Sequence, residues 1–197
     1  MSTAWDNEWK SRTNEHGISR NLPKAKYICK KLWDRPYLIP MKKLEIGCGE
    51  SPHIAVLSKY CREWKENYVG VDASPYIVDI AVRKGLNVFC GDILDIDFNG
   101  KKFNLFLFLD VLEHIMDLER LAEKIKSLAE DDLVIIGNVP MAPNVQRDPE
   151  IEDRPVTLKE LADFSGACGC ETIDHEIYGS FGYPYLFFEA TNYGGGA

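Results

Sequence analysis

With 197 residues, 45% of them hydrophobic and 27% charged, the chain holds enough apolar material for one domain with a full core, and its balance excludes a disordered polymer. A formal net charge of −8 argues against a duplex-binding protein, because a grip on phosphates needs a basic face. No apolar run approaches the roughly 18 residues that cross a bilayer. The opening Met1-Ser2-Thr3-Ala4-Trp5-Asp6 lacks the basic start and apolar stretch of a secretion signal, so a cytoplasmic protein is expected.

Six cysteines occur without a C-x-x-C pair, and Cys168 and Cys170 are one residue apart. Reduced, mostly buried thiols and no metal site are the expectation. The lysines at 24, 26, 30, 31, 42 and 43 form a local positive cluster, read as a solvated helix face.

In chain order, residues 24–33 read as a helix that Asp34-Arg35-Pro36 stops. Lys43-Leu44-Glu45-Ile46 reads as a short strand running into Gly47-Cys48-Gly49. Ser51-Pro52 has the form of an N-cap with proline at the first helical position and predicts a helix to about Arg62. Tyr68-Val69-Gly70-Val71 is the next strand, ending at Asp72, and Ser74-Pro75 starts a helix that Gly85 stops.

Val88-Phe89-Cys90 and residues 105–109 follow as strands, then a helix with apolar residues at 118, 121, 122, 125, 128 and 129. A fifth strand spans 133–137. Thr157 and Glu160 have capping-box spacing for a last helix, and two strands around 172–178 and 186–191 close the chain. Such alternation of short apolar strands with helices predicts an α/β, doubly wound, mostly parallel sheet with helices on both faces. Ligands in such sheets bind beyond the carboxyl ends of the strands, where Glu45, Asp72, Asp92 and Asp110 all fall.

Leu44-Glu45-Ile46-Gly47-Cys48-Gly49-Glu50-Ser51-Pro52 is a strand-to-helix turn whose glycines let a ligand approach the main chain. A carboxylate at Asp72 suits the vicinal hydroxyls of a ribose, although a plain helix-capping role also fits it. Asp92 suits an exocyclic amine such as that of adenine, with Ile93 as an apolar wall, or else a simple turn. Together these point to an adenosine-containing ligand without specifying which.

These segments, with Phe103-Asn104-Leu105-Phe106-Leu107-Phe108-Leu109-Asp110-Val111-Leu112-Glu113-His114-Ile115, resemble the class I S-adenosylmethionine-dependent methyltransferases. The likeness covers about residues 43–137 and is to the small single-domain group whose fourth strand runs into Asp-Val-Leu-Glu-His. It implies a Rossmann-like seven-stranded sheet and S-adenosylmethionine as cofactor. It also implies that Glu45, Gly47, Cys48 and Gly49 surround the methionine part of that cofactor. By the same likeness Asp72 holds the ribose beside Ala73, Asp92 and Ile93 frame the adenine, and Leu109 and Asp110 lie near the sulfonium. His114 falls on the acceptor side. There it is the best-placed general base, with Glu113 and Asp110 weaker alternatives, or it is simply a residue of a first helical turn bonded to backbone.

Ser51 stands where a third glycine is frequent, and Asn104 where an aspartate is frequent. Pro52 breaks the nicotinamide fingerprint G-x-G-x-x-G. Residues 1–40 are expected to form a helical lid, 41–137 the cofactor-binding core, and 138–197 the acceptor side. Trp5, Trp9, Tyr183 and Tyr185 are candidates for the acceptor wall, whereas Trp33 and Phe187 are expected in the core. A small-molecule acceptor is expected, from the acidic balance and the lack of an added nucleic-acid-binding domain. RNA or protein acceptors, a non-catalytic cofactor-binding domain and a nicotinamide-dependent oxidoreductase are the alternatives.

Overall fold

A computed structural model of the chain describes residues 3–12, 22–141, 154–180 and 183–192. Its helices are α1 (Thr3–Arg12), α2 (Leu22–Trp33), α3 (Pro52–Leu57), α4 (Glu63–Glu66), α5 (Pro75–Arg83), α6 (Leu118–Leu128) and α7 (Leu158–Cys168). Its strands are β1 (Lys43–Ile46), β2 (Tyr68–Asp72), β3 (Val88–Cys90), β4 (Phe103–Leu109), β5 (Ala129–Pro140), β6 (Thr172–Ser180) and β7 (Tyr183–Thr191).

The seven strands form one sheet in the order β3-β2-β1-β4-β5-β7-β6. The pairs from β3 across to β5 are parallel, and β7 runs antiparallel to both β5 and β6. Chain order reverses between β1 and β4, so a cleft opens beyond the ends of those two strands. Alternation along β4 supplies both faces of the core. Phe106 and Phe108 pack with Leu121, Ile125, Leu161 and Phe164 of α6 and α7. Leu105 and Leu107 pack with Ile28, Leu32 and Ile54 of α2 and α3 on the other side.

Several local expectations hold and others need correction. Thr157 Oγ1 accepts from Glu160 N, and the Glu160 carboxylate accepts from Thr157 N, completing the capping box. Ser74 caps α5 by accepting from Ile77 N. The helix predicted from Ser51 to about Arg62 ends already at Leu57, and a turn at 58–62 separates it from the short α4. Ser51 occupies the N-cap position of α3 but makes no capping bond, having a left-handed backbone (φ 43°). Trp33 is half exposed rather than in the core. The buried stripe of α2 is Ile28 and Leu32, and Trp33, one position further on, turns out against Tyr60. Phe187 is buried as expected. Of the expected acceptor side, residues 142–153 lie outside the described residues.

Two members of the lysine cluster are buried rather than solvated: Lys24 is 7% exposed and Lys43 0%. Lys43 Nζ donates to the carbonyls of Ile39 (2.8 Å) and Met41 (2.7 Å) and sits 4.8 Å from the centre of the Trp64 ring. Burial pulls its pKa down from 10.5 to about 8. The unfolded chain then binds more protons than the native one between those values, so this group makes stability rise with pH across that window. The stability difference between wild type and Lys43→Met should move by about 2 kcal/mol in favour of wild type between pH 7.5 and pH 10. Urea unfolding at the two pH values measures it, and an unchanged difference would refute the assignment.

Candidate active site

The turn after β1 is shaped by two close approaches. Gly47 has φ 63°, and a Cβ there would stand 2.5 Å from Val111 Cγ2. Gly49 has φ 52°, and a Cβ there would stand 2.7 Å from the Trp9 ring. Between and beyond them a buried polar network fixes the loop. Glu45 Oε2 accepts from Tyr68 Oη (2.6 Å) and from Ser51 Oγ (2.8 Å), and the two hydroxyls also touch each other. His53 Nε2 lies 3.2 Å from the other Glu45 oxygen, out of line for a hydrogen bond. Ser51 thus recovers part of the cost of its left-handed backbone through its side chain.

The Asp72 carboxylate ends β2 and ties the first turn to the second. Its Oδ2 accepts from Gly49 N and its Oδ1 from Ser74 N, both at 2.9 Å. Burial raises its pKa from 3.8 to about 6, against the lowering effect of those two amides. Each oxygen keeps a further lone pair for a ligand hydroxyl.

Above this floor lies a cavity of about 280 Å³, close to the lower end of the roughly 300–1,000 Å³ range of small-molecule sites. Ten of the eleven expected site residues line it: Glu45, Gly47, Cys48, Asp72, Ala73, Asp92, Ile93, Leu109, Asp110 and His114. The eleventh, Gly49, lies beneath the indole of Trp9. Asp92 is exposed and takes Leu94 N on Oδ1 in a turn, while Ile93 is buried.

Helix α1 crosses the opening. Trp5 meets the His114 ring edge-on with centres 4.9 Å apart. Asp6 Oδ1 accepts from Ser74 Oγ and Tyr76 N, which pins α1 to the start of α5.

On the β4–β5 side, Asp110 has a left-handed backbone (φ 58°) and its amide donates to the Asn138 carbonyl. Lys24 of α2 forms an ion pair with Asp110 Oδ2, and its Nζ also stands 4.1 Å from the centre of the Tyr185 ring. Asn138 Nδ2 donates to Asp110 Oδ1 at 2.7 Å. Lys24 and Asn138 were absent from the sequence-based set of site residues. The lysine was hidden in a cluster that looked solvated. For Asn138, the available signal was a polar residue ending an apolar strand, and only the β4–β5 register, which puts it opposite Leu109, gives that signal meaning.

The model of a family described as a methyltransferase domain matches residues 44–134, from β1 into β5. Residues 44–134 are a methyltransferase domain. The chain shares the methyltransferase fold with solved structures at low sequence identity. Magnesium protoporphyrin IX methyltransferase from Synechocystis PCC 6803, with bound SAH, superposes with a TM-score of 0.70 at 15% identity, over 97% of this chain and 95% of that one. A possible histamine N-methyltransferase from Thermotoga maritima gives 0.64 at 15% identity, over 88% and 93%. A methyltransferase from Archaeoglobus fulgidus gives 0.64 at 17% identity, over 85% and 94%. With this domain the chain is an enzyme with S-adenosylmethionine as its cofactor, and the glycine turn, Asp72 and the apolar wall at Ile93 suit that group.

Proposed function

We propose that this methyltransferase alkylates a small molecule held between α1, the start of α2 and the ends of β4 and β5. When bound, S-adenosylmethionine supplies a methyl group on an already activated sulfonium. The protein's tasks are then to align, to exclude water and to manage one proton. Asp72 takes the ribose hydroxyls, with Ala73 beside it. Asp92 and Ile93 border the adenine, and Glu45, Gly47, Cys48 and Gly49 shape the methionine end. Leu109 and Asp110 form the floor near the reacting carbon, with residues 1–40 as a lid, 41–137 as the cofactor core and 138–197 as the acceptor side.

His114 is placed to collect the acceptor's proton, and its contact with Trp5 holds the imidazole at the cavity wall. Both Asp110 oxygens are engaged by Lys24 and Asn138, so Asp110 acts by orienting those groups rather than as a base. The observation that carries the reading is the convergence of Asp72, the glycine turn and His114 on one cavity.

A small acceptor fits a cavity of this size, and the net charge of −8 does not favour a polyanion. No helix among the described residues is long and apolar enough to cross a membrane, and we assign the protein to the cytoplasm. Calorimetric titration tests the reading: S-adenosylmethionine and S-adenosylhomocysteine should bind and NAD should not. Quenching of Trp5 and Trp9 fluorescence on binding is expected as α1 settles. If neither sulfur nucleoside binds, the proposal is wrong. Binding without methyl transfer to any acceptor would favour a non-catalytic sensor.

A further inference from the structure

At the β4–β5 side of the cavity a described residue carries a buried polar atom with nothing to hold. Asn138 is fully buried and lines the cavity, and its Oδ1 has no hydrogen-bond partner. Its orientation is set, because Nδ2 donates to Asp110 Oδ1, which leaves the oxygen as the free end of the amide. A buried acceptor left unmade costs about 1–3 kcal/mol, so it is a place where a ligand's donor gains affinity. The charges next to it are already matched, Lys24 being paired with Asp110. Among the described residues, the corner therefore offers a neutral hydrogen-bond acceptor and no spare cation.

Resting on the methyltransferase reading above, we propose that Asn138 Oδ1 accepts the N–H of the methyl acceptor, and that the acceptor is a neutral, weakly basic amine on a flat apolar body. A carboxylate has no hydrogen to give this oxygen and would face both it and Asp110. A hydroxyl could donate, but it must lose its proton as it attacks, and an amide oxygen cannot take one. An amine keeps its hydrogen on Asn138 while its lone pair attacks. A charged alkylammonium has no lone pair to use and would stand near Lys24. Trp5, Ile28, Val111 and Ile115 give the apolar wall for the body.

The step balances. The nitrogen lone pair forms the N–C bond as the C–S bond breaks, and its electron pair returns to sulfur. The positive charge moves to nitrogen, and the proton then leaves to His114 and solvent.

The test uses the whole protein, labelled S-adenosylmethionine and two matched series: aniline, phenol and benzoate, with the naphthyl counterpart of each. Label should enter an amine and leave its hydroxyl and carboxylate partners unlabelled. With S-adenosylhomocysteine bound, calorimetry should show the amine binding to wild type but at least about 10-fold more weakly to Asn138→Leu. That variant should lose about 100-fold in kcat/KM toward the amine while its Kd for S-adenosylhomocysteine stays within about twofold. Labelling of a phenol or carboxylate instead, or of nothing while the cofactor binds, overturns the proposal. So does a variant that folds, binds cofactor and methylates amines normally. If Asn138→Leu fails to fold, the selectivity of the wild-type protein between the matched members still decides. Failure of the cofactor itself to bind would instead sink the underlying methyltransferase reading.

Discussion

Replacing Asp72 by Asn should lower the affinity for S-adenosylmethionine by at least about 100-fold, or about 3 kcal/mol. The substitution keeps the shape and removes the charge that two ribose hydroxyls would bond. It also turns one acceptor oxygen into an NH₂ that must face Gly49 N or Ser74 N, both donors. The damage therefore includes the turn as well as the ribose contact.

A pH dependence separates the two effects. With the native pKa raised to about 6, the folded protein holds a proton on Asp72 that the unfolded chain, at 3.8, has released. The stability contributed by this group is present at low pH and falls as pH rises through that window. Cofactor binding should follow the opposite course, because the hydroxyls bond the ionised carboxylate best. Affinity should climb about tenfold between pH 5 and pH 7.5 in wild type and stay flat in the Asn variant. A wild-type affinity independent of pH over that range would remove Asp72 from the ribose site.

Glu45→Ala should destabilise the protein by about 2–4 kcal/mol, since a buried polar group left without its partner costs about 1–3 kcal/mol and two hydroxyls are affected. The alanine leaves the Tyr68 and Ser51 hydroxyls without the carboxylate they share, deep in the fold. It also takes away the side-chain bond that offsets the strained backbone of Ser51. Urea unfolding should show a lower midpoint with the slope unchanged, whereas a loss under 1 kcal/mol would mean that water replaces the network. In this chain the acidic residue of the first motif thus builds the turn from behind as well as lining the cavity.

The order of strands and helices could be read from sequence because each element announces itself locally. Apolar runs of four to seven residues such as 105–109 are too short for a free helix, and Ser74-Pro75 and Thr157 with Glu160 mark helix starts by their own chemistry. The residues expected to hold the cofactor stood out for the same reason: Gly47, Asp72 and Asp92 each stand at or just past a strand end. What stayed hidden depends on distant segments meeting. Lys24 reaches Asp110 from 86 residues away in the chain, and nothing near Lys24 distinguishes it from the exposed Lys26 or Lys30. The role of Ser51 was misjudged because Ser-Pro before a helix has a local meaning, capping, which a partner 17 residues on, Tyr68, overrides.

Ser51, buried in the turn behind the cavity, and Asp110, on its wall, are left-handed without being glycine. Such a conformation costs an ordinary residue about 1–2 kcal/mol, which glycine would recover. A search for thermostable variants that scores backbone strain alone will therefore be drawn to these two positions. At Asp110 the exchange would leave the buried Lys24 without its ion pair and free the amide of Asn138 to turn, so the backbone's gain is outweighed by the loss in the side chains. Directed evolution toward heat tolerance should hold both codons fixed and seek its gains on the outer faces of α6 and α7.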